Sequence, residues 1–74
     1  MNYEYSKAMG RNISVIRQSK GLTQEQLSAK LQVIECDITR SALAKIEVGQ
    51  RHLYPDELKA LKIVLGICYE ELFV

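Results

Sequence analysis

The sequence predicts an all-α fold of five short helices, and three observations carry that prediction. Apolar residues return at three- and four-residue spacing through most of the chain, the period of one helix face. Capping residues and glycine stops bracket these runs. Only one proline and four glycines interrupt 74 residues, too few for a turn-rich β fold. The expected helices span about residues 7–20, 24–33, 40–48, 55–65 and 69–73, within a single domain over residues 1–74.

The segment before Lys7 shows no strong pattern, and Tyr3 and Tyr5 there read as packing residues, a frayed tail or a dimer contact. In the first helix Ala8, Met9, Ile13 and Ile16 fall near one face, and Lys20-Gly21 ends it. Thr23-Gln24-Glu25-Gln26 is a capping box that opens the second helix, with Leu22 and Leu27 placed as a hydrophobic staple. Leu27 and Leu31 continue that stripe, and Ser28 is small enough to admit a neighbouring helix. A break follows over residues 32–37, and Ile38 anchors its far side.

Thr39 caps the third helix and Gly49 stops it. Leu43 and Ile46 point inward, which turns Arg40, Ser41, Ala44 and Lys45 outward. Small residues on such a face let the backbone approach a partner closely, and arginine or lysine can reach guanine O6 and N7 in a major groove. After a basic connector over residues 50–54, Pro55 opens the fourth helix with Asp56 and Glu57 at its positive end. Leu58, Leu61, Ile63 or Val64, and Leu65 give it an apolar face, and Gly66 ends it. Leu72 and Phe73 in the last helix are expected as core plugs.

The net charge of +1 is unevenly spread. Residues 1–52 carry eight Lys/Arg against five acids, whereas residues 53–74 carry two lysines against four acids. A basic front and an acidic back suit one anionic partner surface, although ordinary scatter of surface charge fits equally well. Cys36 and Cys68 lie far apart with no second histidine beside His52, so no metal and no cofactor is expected. Both read as free thiols filling small apolar gaps. No leader or long apolar run is present, so a cytoplasmic chain without membrane contact is expected. Ser41, His52 and Asp56 could be drawn as a triad, but nothing resembles a nucleophile elbow. The scattered glycines form no phosphate loop, and an enzyme is not expected.

Three pieces stand in order: Ile16-Arg17…Lys20-Gly21-Leu22-Thr23-Gln24-Glu25-Gln26-Leu27, then Leu43…Lys45-Ile46-Glu47…Gly49-Gln50-Arg51, then Leu65-Gly66-Ile67…Glu71-Leu72-Phe73. In these the chain resembles the phage Cro/repressor-type, or lambda repressor-like, helix-turn-helix family, from about Gly10 to Phe73. The resemblance implies a compact five-helix DNA-binding domain. It implies that Arg40, Ser41 and Lys45 reach base edges from the third helix. It further implies that Thr23 and Gln24 at the start of the second helix, Thr39, and Gln50 and Arg51 in the following loop hold DNA phosphates. Free amides at a helix start favour anions, which agrees. Arg17 and Glu47 match a partly buried ion pair of some members. Arg17 therefore has two readings, partner of Glu47 first and phosphate contact second.

Three departures from the family pattern stand out. Leu31 and Ile46 lie fifteen residues apart, several more than the family's tight turn allows, so either the second helix runs on through Val33 and Ile34 or the loop is longer. Tyr54 replaces the usual cap before the fourth helix, and Ala42 replaces a hydroxyl residue. The implied function is a transcriptional repressor that binds an inverted repeat of double-stranded DNA as a homodimer. Dimer contacts are expected from Ile63, Ile67, Tyr69 and Val74 or from the N-terminal tail. The alternative is a protein-interaction module on the same fold, an antitoxin or antirepressor acting through an unknown protein partner.

Overall fold

A computed structural model describes residues 3–73, and its elements are all helices among those residues: α1 Tyr3–Ser19, α2 Gln24–Val33, α3 Arg40–Glu47, α4 Pro55–Leu65 and α5 Tyr69–Leu72. The bounds follow the sequence expectation to within a residue at every end but one. That exception is the start of α1, which begins at Tyr3 rather than near Lys7. No proline or glycine precedes Gly10, so nothing local stops the helix from extending back from its anchored turn at Met9 and Ile13. The side chain of Tyr3 and the whole of Val74, both considered as dimer contacts, lie outside the described residues.

One core unites the helices. Ile13 of α1, Leu27 and Leu31 of α2, Leu43 and Ile46 of α3, Leu61 of α4 and Leu72 of α5 are fully or almost fully buried together. Ile38, from the turn between α2 and α3, joins them. Phe73 does not; it is 43% exposed, because the chain leaves α5 in an extended conformation one residue after Leu72. On α4 the apolar face uses Val64 and leaves Ile63 56% exposed.

α3 packs on α1 and α2, and its closest approach to α1 is at Gly10. A Cβ on Gly10 would lie 2.2 Å from the Ile46 carbonyl oxygen, so only glycine admits this crossing. Asn12 secures α1 to the other end of the chain, its side-chain amide donating to the carbonyls of Glu71 and Leu72.

The long turn resolves as a longer loop, not a longer helix. α2 stops at Val33 in a paired closure: Glu35 N donates to Gln32 O (3.0 Å) and Cys36 N to Leu31 O (2.9 Å). The same closure ends α1 around Gly21 and α3 around Gly49. In α2 the left-handed position falls on Glu35 (φ 64°), the one non-glycine at positive φ among the described residues. An L-residue there costs about 1–2 kcal/mol, and the half-buried Cys36 packing on the core helps offset it. Ser28 is buried and does more than admit a neighbour. Its hydroxyl donates to the Ile38 carbonyl at 2.7 Å and ties the loop to α2.

Candidate nucleic-acid interface

Both helices of the central pair begin with a working cap. Thr23 Oγ1 accepts from Gln26 N (3.1 Å), and Gln26 Oε1 accepts from Thr23 N (2.9 Å). Thr39 Oγ1 accepts from Ala42 N (3.1 Å). Each cap is worth about 1 kcal/mol and leaves the amides of the first two helical residues without an intrahelical partner. Those of Gln24 and Glu25 face the positive end of α2, a favourable place for a phosphate.

A surface groove runs from the α1–α2 turn to the start of α3, lined by Thr23, Gln24 and Arg40 among others. Arg17 and Glu25 line it too, so the structure brings together three residues expected at phosphate, Arg17, Thr23 and Gln24, and one expected at bases. Along α3, Leu43, Ile46 and Glu47 are buried, while Arg40, Ser41 and Lys45 are exposed on the opposite side. Ala44 is half-buried rather than fully outward. Arg40 and Lys45 make no ion pair among the described residues. At the far end Gln50 N donates to Lys45 O (2.8 Å), so the exposed Gln50 leaves directly from the last turn of α3.

The two arginines expected at phosphate, Arg17 and Arg51, are held differently. Arg17 is 8% exposed. It donates from Nε and Nη2 to the two carboxylate oxygens of Glu47 (2.7 and 3.1 Å) and from Nη1 to the Leu22 carbonyl (2.7 Å). These bonds use three of its five N–H donors. Arg51 donates to both carboxylate oxygens of Glu57 (2.9 Å each) and to the His52 carbonyl (2.8 Å). Its guanidinium faces α4 and a cavity of about 260 Å³ lined by Tyr5, Met9, His52 and Phe73, not the Gln24–Arg40 groove. The Arg51 guanidinium holds the Glu57 carboxyl below its usual range. Glu57 Oε1 also accepts from Tyr54 N (3.0 Å), which fills half of the cap that the Tyr54 side chain does not supply.

Two contacts differ in how far local sequence signals them, and the first has no local signal at all. Gln24 Nε2 donates to Glu47 Oε1 (3.0 Å) across 23 residues of sequence. The Arg51–Glu57 pair had a weak one: Glu57 stands at the third position of α4, where a carboxylate folds back toward the preceding residues. The thiols also divide. Cys36 is half-buried, whereas Cys68 is exposed at the start of α5 and is not an apolar filler. Its sulfur hydrogen-bonds Glu71 Oε1, and that carboxylate pushes the Cys68 thiol up from its usual range.

Comparison with known proteins agrees with this geometry. A helix-turn-helix family model matches residues 13–72. No curated protein matches the chain. Among solved structures, the DNA-binding domain of BldD superposes with a TM-score of 0.86 at 26% identity, covering 100% of both chains. The restriction-modification controller protein C.AhdI from Aeromonas hydrophila superposes with a TM-score of 0.85 at 30% identity, covering 96% of both chains. With α2 and α3 capped, paired and exposing a basic face, the chain belongs to the Cro/C1-type helix-turn-helix family of DNA-binding transcription regulators.

Proposed function

We propose that the protein is a repressor that binds an inverted-repeat operator as a homodimer, with α3 in the major groove. The observation that carries this reading is the shared groove of Thr23, Gln24 and Arg40 beside the exposed face of α3. Arg40, Ser41 and Lys45 read base edges, and Thr23, Gln24, Thr39 and Gln50 hold the backbone on either side. Arg17 and Arg51 act chiefly by holding this frame, since both already bond carboxylates. Arg51 already places three of its five N–H donors on Glu57 and the His52 carbonyl, which leaves two for a phosphate.

One domain of this size covers a short half-site, so a second copy doubles the reading length. Ile63 of α4 and Tyr69 of α5 leave apolar surface exposed, which supports self-association through these two helices. Ile67, also considered for that contact, is 8% exposed and belongs to the core.

Enrichment of duplexes from a randomised pool tests the reading. It should return an inverted repeat with half-site centres about one helical turn apart, bound by two chains. A pool that never enriches, or a single half-site bound by one chain, overturns it. Ile63→Glu should weaken binding to the full repeat and shift sedimentation toward the monomer.

A further inference from the structure

Glu47 occupies an unusual place for a buried acid. It is the last residue of α3, and its carboxylate accepts three hydrogen bonds from two other helices. Two come from Arg17 of α1, and the third comes from Gln24, the first residue of α2. No buried side-chain nitrogen or oxygen among the described residues lacks a partner, so this cluster is complete without DNA. A carboxylate can only accept, so the Gln24 amide must turn its Nε2 toward Glu47. Nε2 carries two hydrogens. Glu47 takes one and leaves the other for a phosphate oxygen.

We propose that Glu47 is a positioning residue for DNA binding, acting through Gln24: it sets the Gln24 amide in the phosphate-contacting orientation before DNA arrives. This rests on the reading of Gln24 as a phosphate contact. A long polar side chain pays rotamer entropy when it docks, and a bond already made in the free protein removes part of that cost. Arg17 has a second effect in the same cluster. A bare carboxylate one hydrogen bond from a phosphate would repel it, and the Arg17 guanidinium cancels that charge while adding its own bond to the α1–α2 turn.

Replacing Glu47 alone would strand the buried Arg17 charge and confuse folding with binding. The test therefore uses two charge-free backgrounds, Arg17→Met/Glu47→Gln and Arg17→Met/Glu47→Leu, each with and without Gln24→Ala. Titrations use a duplex enriched by the unmodified protein, and thermal melts check folding. The glutamine background still offers an oxygen to Gln24, and the leucine background does not. The leucine background should bind about tenfold more weakly than the glutamine background, the worth of one well-placed hydrogen bond to a charged group. Gln24→Ala should cost the glutamine background about tenfold and the leucine background much less, as for two groups acting as one unit. Equal affinities for the two backgrounds, or an equal cost of Gln24→Ala in both, overturn the proposal.

A measurement on the unmodified protein stands apart from folding of the variants. The Gln24 side-chain amide signals in the free protein should be resolved, slow to exchange with water and restricted in motion. Averaged, fast-exchanging signals would overturn the proposal. If no duplex enriches, or Gln24→Ala leaves the unmodified protein's affinity intact, the underlying phosphate reading has failed, and the proposal falls with it even where the amide is restrained.

Discussion

Arg17–Glu47 and Arg51–Glu57 are both two-point arginine–carboxylate pairs, and both brace the neighbourhood of α3. They differ in depth. The first pair's side chains are 10% and 5% exposed, and the second's are 28% and 10% exposed. The inner pair joins α1 to the end of α3 and, through Gln24, to the start of α2. The outer pair joins the connector to α4 over six residues of sequence. The inner pair therefore sets how three helices meet, and the outer one shapes a local corner. Arg40 and Lys45, which neither pair uses, stand on the exposed face of α3. Among the arginines expected at DNA, Arg17 and Arg51 each have a carboxylate partner and Arg40 has none among the described residues.

Single substitutions that break these pairs should separate them by size. Arg17→Met leaves the buried Glu47 charge unpaired and should lower unfolding stability by about 3–5 kcal/mol in urea titrations. Arg17→Met/Glu47→Leu should recover most of that loss, and a double variant no better than the single would erase the distinction in depth. Arg51→Met should cost about 1 kcal/mol, because its pair is partly in water and Tyr54 N still reaches Glu57.

That smaller difference should also depend on pH. The folded-state pKa of Glu57 lies below its ordinary value of 4.5, chiefly through the Arg51 hydrogen bonds. A depressed carboxylate contributes stability that is fully present above its unfolded pKa and lost as pH falls through the folded one. The gap between the unmodified protein and Arg51→Met should thus be constant near neutrality and close below about pH 4.5. A gap that persists in acid would mean Arg51 stabilises by packing instead. Smallest of all, Arg40→Ala and Lys45→Ala should leave stability within about 0.5 kcal/mol. Arg40→Ala should nonetheless lose about 1–3 kcal/mol of discrimination at one base pair, read by titrating matched and mismatched duplexes.

Much of the architecture was legible from local residues. Thr23, Thr39 and Pro55 mark helix starts and Gly21, Gly49 and Gly66 mark ends, because caps and left-handed positions act within a few residues. The loop after α2 was harder to place because its left-handed residue is Glu35, and a glutamate carries no stop signal. The early start of α1 and the exposure of Phe73 had no local marker either; each depends on how far the core reaches along an otherwise permissive segment. In the candidate interface, the outward face of α3 followed from the burial of Leu43 and Ile46 at helical spacing. The shared groove of Gln24 and Arg40 required the angle between two helices, which a lengthened turn left open.

The helices, their caps and the face that α3 shows to solvent are written in local residues, since each is set by chemistry within one or two turns. Which arginines are held by carboxylates depends instead on long-range packing. Glu47 lies 30 residues from Arg17 and 23 from Gln24, and no local period links positions so far apart. Their meeting depends on α1 crossing α3 at Gly10, where the backbones come within a distance that no Cβ would permit. Burial then makes the pairing of Arg17 nearly obligatory, because a charge removed from water must find its partner inside.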